Sequence, residues 1–403
     1  LFSFLTLYLF AIFSLSIALG IQIIVLPWLV VDHLLLTSVW VGWVQAAVLI
    51  PNLLLLLIGG LTADRGTGAR WLVPLLIVNS IIHSVLLLVL NYEWLSISIV
   101  CIYSLLLGMT NAFIQPWREY LLKKIQQQEL QKTVAKSSLC LYGGQVVGVA
   151  LSSSMSSIGI EWLLLGQVGA ILIAAIAFYC IYRRLLAYRV GNEAVSEGGE
   201  DISLEEGFRH VWSIPALRSL MAIVAFSGFF HIGVFIVALP IIVRQVYGES
   251  IEFYSGLQIA FVIGTIVATL VVIYRQSLND PGRRILFSLL YGGVILLALS
   301  AKPTLMGLFT LIFLWGLVVG ISSNMGRSVL QLLAPESLRG RIISIYQLAL
   351  FGSAPFGALS AGYAIELWGV LYVLKLSGII SLLAFAVTLT TRSLWELNVA
   401  EHS

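Results

Sequence analysis

Charge is scarce in this chain. Only 10% of its 403 residues are Asp, Glu, Lys or Arg, while 60% are hydrophobic; a soluble domain carries roughly 25% charged residues. A soluble composition is thereby excluded. Cysteine is scarcer still. Cys101, Cys140 and Cys180 lie far apart in apolar stretches, so no pair has redox or metal spacing, and each reads as a small buried hydrophobe. The net charge of +3 is too small to point to nucleic acid. Also missing are an HExxH pair, a nucleophile elbow, paired carboxylates within apolar runs and a Walker loop. The expectation is a protein that is not an enzyme, does not use ATP directly, and needs neither cofactor nor metal.

What is present is a series of long uncharged runs. Histidine aside, residues 1–31, 33–63, 71–92, 94–117, 137–160 and 162–182 carry no charge, and neither do 219–243, 253–274, 285–301, 303–326 and 342–365. A further run, 367–391, is interrupted only by Lys375, whose long stem can snorkel outward. A bilayer span needs roughly 20 mostly apolar residues, and the short alternating segments of a barrel are absent. The sequence predicts an all-α membrane protein of twelve transmembrane helices. Orientation is read from Lys and Arg. With the N-terminus in the cytoplasm, nineteen of the 22 basic residues, all but Arg244, Lys302 and Lys375, flank cytoplasmic connections. Both termini are expected on that side. The first run is longer than a signal h-region and has no basic leader, so it is expected to be retained.

The longest charged stretch, 183–218, separates six runs from six. It divides the chain into a bundle over 1–182, a cytoplasmic linker over 183–215 and a second bundle over 216–403. Within the linker, Ser203 opens the pattern S-L-E-E, a capping box for an amphipathic helix running toward Trp212. The two halves repeat. A shift of 213 residues places Phe13 on Phe226, Ser14 on Ser227, Gly20 on Gly233 and Pro27 on Pro240. The same shift places Gln45 on Gln258, Arg70 on Arg283 and Asn111 on Asn324, and a shift of 208 places Gly144 on Gly352. Scarce residue types coincide, as expected of a transporter built from two parallel six-helix repeats.

The charged loop between runs 2 and 3, "GGLTADRGTGAR" (59–70), with a degenerate copy "RQSLNDPGRR" (275–284), resembles the signature loop of the major facilitator superfamily. Further stretches resemble its macrolide-efflux and enterobactin-exporter branch: "LGIQIIVLPWLV" in span 1, "IQPWREYLL" after span 4 and "PESLRGRIISIYQLALFGSAPFGALSAG" entering span 11. Two departures stand out. Gly66-Thr67-Gly68-Ala69 replaces a second basic pair, and in span 5 Gly148 is followed by Val149 rather than proline. The resemblance implies two pseudo-symmetric bundles in a bacterial cytoplasmic membrane, acting as a monomer. It implies alternating-access export of a small amphipathic or hydrophobic compound, drug-like or siderophore-like, with protons as candidate coupling ion. An importer or lipid-handling carrier of the same fold is the alternative.

The candidate residues fall into three groups: a latch, a cavity lining and a coupling set. Gly59 and Gly60 let span 2 approach a neighbour closely, and Asp64 suits the positive end of a helix; span 11, opening near Arg341, is a reasonable partner. Arg65 or Arg70 is a candidate to pair with Glu119. Together Gly60, Asp64, Arg65, Arg70 and Glu119 form an expected conformational latch. Polar residues at membrane depth are functional candidates. Gln22 and His231 lie near the middle of spans 1 and 7; His231 either lines the cavity or is hydrogen-bonded to a neighbouring helix. Gln45 and Gln258 carry the same two alternatives. Asn111, Gln115 and Arg118 share a face of span 4, as Asn324, Arg327 and Gln331 share one of span 10, as a polar lining or as helix packing. For coupling, His231, Asp32 and Glu119 are the candidates; Asp32 lies about 18 Å beyond Gly20 along a helix, at the outer interface. His83 falls in a span that is peripheral in this fold. Trp28, Trp40 and Trp43 fit an outer aromatic belt.

Overall fold

The computed structural model describes residues 3–64, 71–125, 130–189, 204–274, 280–335, 338–391 and 393–395. Every apolar run forms a helix, as it must in lipid, where backbone polar groups have no water to bond. The helices are α1 (Phe4–His33), α2 (Ser38–Asp64), α3 (Leu72–Asn91), α4 (Ile97–Ile125), α5 (Leu130–Ser152) and α6 (Ile160–Arg189). After a linker helix (Leu204–Ser213) come α7 (Pro215–Tyr247), α8 (Ile251–Tyr274), α9 (Pro281–Ser300), α10 (Leu305–Leu333), α11 (Arg339–Trp368) and α12 (Val370–Thr391). Among the described residues, eleven helices are long and apolar enough to cross a membrane. The remaining helix is α5, whose first turns are polar, and the set is consistent with twelve spans. Local chemistry sets the ends. Ser3 Oγ accepts the Thr6 amide at the start of α1, Thr304 Oγ accepts the Gly307 amide at the start of α10, and Pro281 opens α9. α7 stops at Gly248, whose φ of +68° suits glycine.

The chain divides into two compact units. One is Leu1–Leu35, Ala47–Asp201 and Ile251–Ser255; the other is Leu36–Ala46, Ile202–Ser250 and Gly256–Ser403. The boundary falls near the middle of the predicted linker. Two short segments, at the starts of α2 and α8, are exchanged relative to the sequence halves. In the first unit α1 packs on α5 and α6, and α3 on α4 and α6. Its core gathers Tyr8, Ile12, Leu76, Ile171 and Phe178, with Tyr8 and Phe178 edge to face at 5.9 Å. In the second unit α7 packs on α11, and α9 on α10 and α12. The linker helix lies along α11: a β-carbon on Gly207 would touch Arg341 and Ile345. Its outward side shows Phe208, Trp212 and the Arg209–Glu205 pair.

Two features make the sequence repeat structural. First, related helices meet backbone to backbone through glycine, which brings α1 onto α5 and α7 onto α11. A β-carbon on Gly148 would collide with the Ile17 carbonyl, and one on Gly357 with the Phe229 carbonyl. Close approach of this kind is how helices associate where the solvent is as apolar as the side chains. Second, α1 ends in a π-helical segment, Leu29–His33, and α7 in another, Ile242–Tyr247; the 213-residue shift carries Leu29 onto Ile242. In each case a proline, Pro27 or Pro240, lies two residues earlier. Proline lacks an amide and disturbs the turn before it; the π-helical turn follows it, with its backbone groups still paired, as in the bond from the Leu34 amide to the Leu29 carbonyl at 2.9 Å.

Candidate functional site

In the first unit, α1, α3, α4 and α6 surround a cavity of about 10 Å³, room for roughly one water. Its walls include Leu29 and Leu86, and its polar groups are Gln22, Tyr103 and Gln167. Gln22 therefore meets a small, mostly apolar recess inside this unit. Gln167 is buried and donates from Nε2 to the Ala18 carbonyl at 3.0 Å, tying α6 to α1. It is the one amide in the uncharged run 162–182, so the rule that singles out Gln22 also finds it. Beside the recess His83 is 1% exposed. Its Nδ1 lies 2.8 Å from the Asn79 carbonyl; a carbonyl only accepts, so Nδ1 carries the proton. Asn79 Nδ2 donates to Thr110 Oγ1 at 2.7 Å, and the Thr110 hydroxyl donates back to α4 carbonyls. The His83 ring meets Tyr103 edge to face at 5.5 Å.

Farther along α4, Asn111, Gln115 and Arg118 are half-buried and Glu119 is exposed. Tyr8 donates its hydroxyl to the Arg118 carbonyl at 3.1 Å. Asp32 is half-buried within the π-helical end of α1 and engaged in an interaction there. Trp28 departs from the aromatic-belt expectation: it is 3% exposed and stacks on Tyr254 at 5.8 Å, whereas Trp40 and Trp43 do face outward. An apolar run alone does not separate a lipid-facing indole from a packed one. Nearby, Ser156 donates its hydroxyl to Glu252.

In the second unit His231 is buried against α9 and α12. Its Nε2 lies 3.1 Å from Ser381 Oγ, and Ser381 donates its own hydrogen to the Leu289 carbonyl at 2.8 Å. With that hydrogen committed, Ser381 accepts and His231 Nε2 donates. A β-carbon on Gly292 would touch the same ring. His231 is thus hydrogen-bonded to a neighbouring helix in this conformation. Asn324 donates to Thr269 Oγ1 of α8 at 3.2 Å and, within its own helix, to the Gly320 carbonyl at 2.7 Å. Gln258 is buried and engaged, and Gln45 is half-buried. Lys375 is exposed on α12.

The start of α2 belongs to this unit and is held to the end of α11. Ser38 is 3% exposed and donates to the Gly362 carbonyl at 2.8 Å, with Glu366 Oε2 at 3.1 Å as a second acceptor. Trp43 Nε1 donates to Tyr363 Oη at 3.1 Å, and Gly42 lies against the α11 backbone at Ala358 and Gly362. Sequence reasoning misses Ser38, Ser156, Glu252 and Glu366, because a serine or glutamate at a span end is ordinary surface chemistry. Of the expected latch, Gly60 and Asp64 fall in α2 with their surroundings outside the described residues; Arg65 and Arg70 lie outside them altogether.

The polar groups at depth are amides, hydroxyls and imidazoles, so this scaffold offers hydrogen bonds in its interior rather than charge. A search of curated protein sequences finds no match. Among solved structures, a mutant form of the nucleoside transporter NupG aligns over 96% of this chain and 100% of its own, with a TM-score of 0.79 and 11% identity. An auto-inhibited POT family peptide transporter aligns over 96% of both chains, with a TM-score of 0.74 and 12% identity. A bacterial homolog of the human lysosomal transporter Spinster, inward-facing and unoccupied, aligns over 97% of both, with a TM-score of 0.68 and 15% identity. At these identities the likeness establishes the fold. The Major Facilitator Superfamily model matches residues 8–354, and with that span the chain belongs to the major facilitator superfamily of membrane transporters.

Proposed function

We propose that this transporter exports a small, uncharged, amphipathic or hydrophobic compound, drug-like or siderophore-like, across a bacterial cytoplasmic membrane. Both termini and the linker face the cytoplasm, and the working unit is the monomer. One observation carries the choice of cargo. The middle of every span lacks Asp, Glu, Lys and Arg apart from Lys375, which is exposed on α12. A charged cargo at membrane depth needs a countercharge, because an unpaired ion there is costly. A neutral cargo needs only apolar walls and a few hydrogen bonds, for which Gln22, Gln45, Asn111, Gln115 and Gln258 are the proposed partners.

The mechanism is alternating access. The bonds from Ser38 to Gly362 and Glu366 support a closed arrangement of this end of α2 and α11, which the distribution of basic residues assigns to the outside. In the opposite state the latch takes over at the cytoplasmic end, with Asp64 at the start of α11 and Arg65 or Arg70 toward Glu119. Protons are the proposed coupling ion; Asp32 and Glu119 are reached from the cavity ends.

The test is accumulation of neutral amphipathic fluorescent compounds, beside charged nucleotides and peptides, in cells with and without the gene. Export lowers accumulation of the neutral set. A raised level assigns import, and transport confined to the charged set overturns the cargo argument.

A further inference from the structure

We propose that the C-terminal segment Ser393–Trp395 is a strap that ties the second signature loop to its own bundle, so that the arginine of that loop takes no part in the cytoplasmic latch. α12 ends at Thr391, and the chain folds back across the starts of α7 and α9. Ser393 Oγ lies 2.8 Å from Ser219 Oγ of α7. Leu394 is 2% exposed, in the core that gathers Leu217, Leu220, Ile285 and Leu286. The Trp395 indole meets Phe287 of α9 edge to face at 5.7 Å and lies 6.3 Å from Phe385 of α12. Its Nε1 donates to the Thr388 carbonyl at 3.1 Å, one of the group that the end of α12 leaves without an amide partner.

The segment and the loop are fitted to each other at two points. Gly282, the second residue of α9, lies against the Leu394 carbonyl, and a β-carbon there would collide with it. The strap's backbone thus crosses where the loop has no side chain. Next to it, Arg283 Nε donates to the Trp395 carbonyl at 3.0 Å. The ion pair of Arg283 with Asp280 spans 3.7 Å and is partly exposed on both sides, so solvent leaves it little strength. The bond to the strap is therefore the one that fixes the guanidinium. By the 213-residue shift Arg283 is the counterpart of Arg70, an expected member of the latch.

The first half is built differently at this place. Gly159 and Gly369, both at positive φ, precede α6 and α12. From there α6 runs 30 residues, to Arg189, whereas α12 runs 22, to Thr391. Where α12 stops and folds back, α6 continues as helix for roughly two more turns. Among the described residues, α6 makes no such return. Two loops alike in sequence are thus engaged differently, and the second gives its arginine to the chain's own C-terminal segment. The consequence for the latch rests on the carrier reading above; the strap itself does not.

The experiment ends the chain at Arg392 and follows hydrogen exchange by mass spectrometry in nanodiscs. Peptides covering Ile285–Leu289 of α9 report the strap, and peptides covering Leu76–Ser80 of α3 are the internal reference. Loss of the strap should speed exchange in the first set roughly tenfold and leave the reference unchanged. Gly282→Ala, which presses on the Leu394 carbonyl, should do the same despite the better helix propensity of alanine. Arg283→Ala should also do so, and should add little to the truncation. These two point variants carry the test if the shortened chain fails to fold. Exchange that stays unchanged, or that rises equally in both sets, overturns the strap. Labels on the cytoplasmic ends of α2 and α11 read the consequence: Asp64→Asn should shift the resting population and Arg283→Ala should not. An equal shift from Arg283→Ala overturns the proposal. An Asp64→Asn variant without effect, beside a local rise in exchange, removes the latch reading and keeps the strap.

Discussion

Replacing Ser38 by alanine removes one oxygen from the contact between the start of α2 and the end of α11. The hydroxyl has two acceptors, the Gly362 carbonyl at 2.8 Å and Glu366 Oε2 at 3.1 Å. It has only one hydrogen, so the loss is that of one bond shared between them. A bond to a carboxylate reaches about 1.5–3 kcal/mol, but Glu366 is exposed and solvent competes for it. About 1 kcal/mol is the reasonable figure, or about fivefold in a two-state ratio. If this contact belongs to only one state of the transport cycle, Ser38→Ala should lower that state about fivefold without unfolding the protein. Spin labels at Thr37 and Leu367, read by pulsed electron resonance in nanodiscs, measure the populations. Glu366→Gln, which keeps an acceptor oxygen, should cost less than Glu366→Ala, and Ser38→Ala should add nothing to the latter beyond the Gly362 bond. An unchanged distance distribution in Ser38→Ala would refute the reasoning and leave the bond a local tether.

The same physics sets four further outcomes. Gly148→Leu puts a side chain into the Ile17 carbonyl and should destabilise the first unit by several degrees in a thermal-shift assay. Gly166→Ala, with nothing within 4 Å of the added carbon, should be neutral or slightly stabilising, as alanine favours helix. Asp64→Asn removes a charge from the proposed latch, worth up to about 2 kcal/mol. It should shift the resting population toward the inward-open state, and labels on the cytoplasmic ends of α2 and α11 that report no change would remove the latch. A reporter fused after Arg392 should be active only in the cytoplasm; activity confined to the exterior would reverse the topology.

The spanning helices are legible in the sequence because each is built around a long run with no charge, or in α12 a single lysine, and a bilayer penalises charge at every depth. The repeat is legible because proline and glycine are scarce and positional. Pro27 and Pro240 precede the same π-helical turn in α1 and α7, and Gly20 and Gly233 both lie against a partner backbone. The direction of each side chain is not legible. In a soluble helix the polar face marks the outside, but in α1 and α12 the few polar residues form no single face, and periodicity then carries no facing information.

His231 shows how far this reaches. It lies inside a π-helical segment, Gly228–Gly233. Each i→i+5 turn inserts one residue relative to the α-helix and rotates the residues beyond it by about 100°. A residue counted along an ideal helix from Pro215 is therefore misassigned by about one face past this point. In the structure the ring turns to Gly292 and Ser381, on α9 and α12. His83 escapes sequence reasoning for the opposite reason. The family resemblance makes its helix peripheral, yet α3 packs on both α4 and α6, and its imidazole is buried against Tyr103 of α4. A residue's span number says which helices are near; only the packing says which of them it faces. His231 accordingly donates to Ser381 within a closed helix contact.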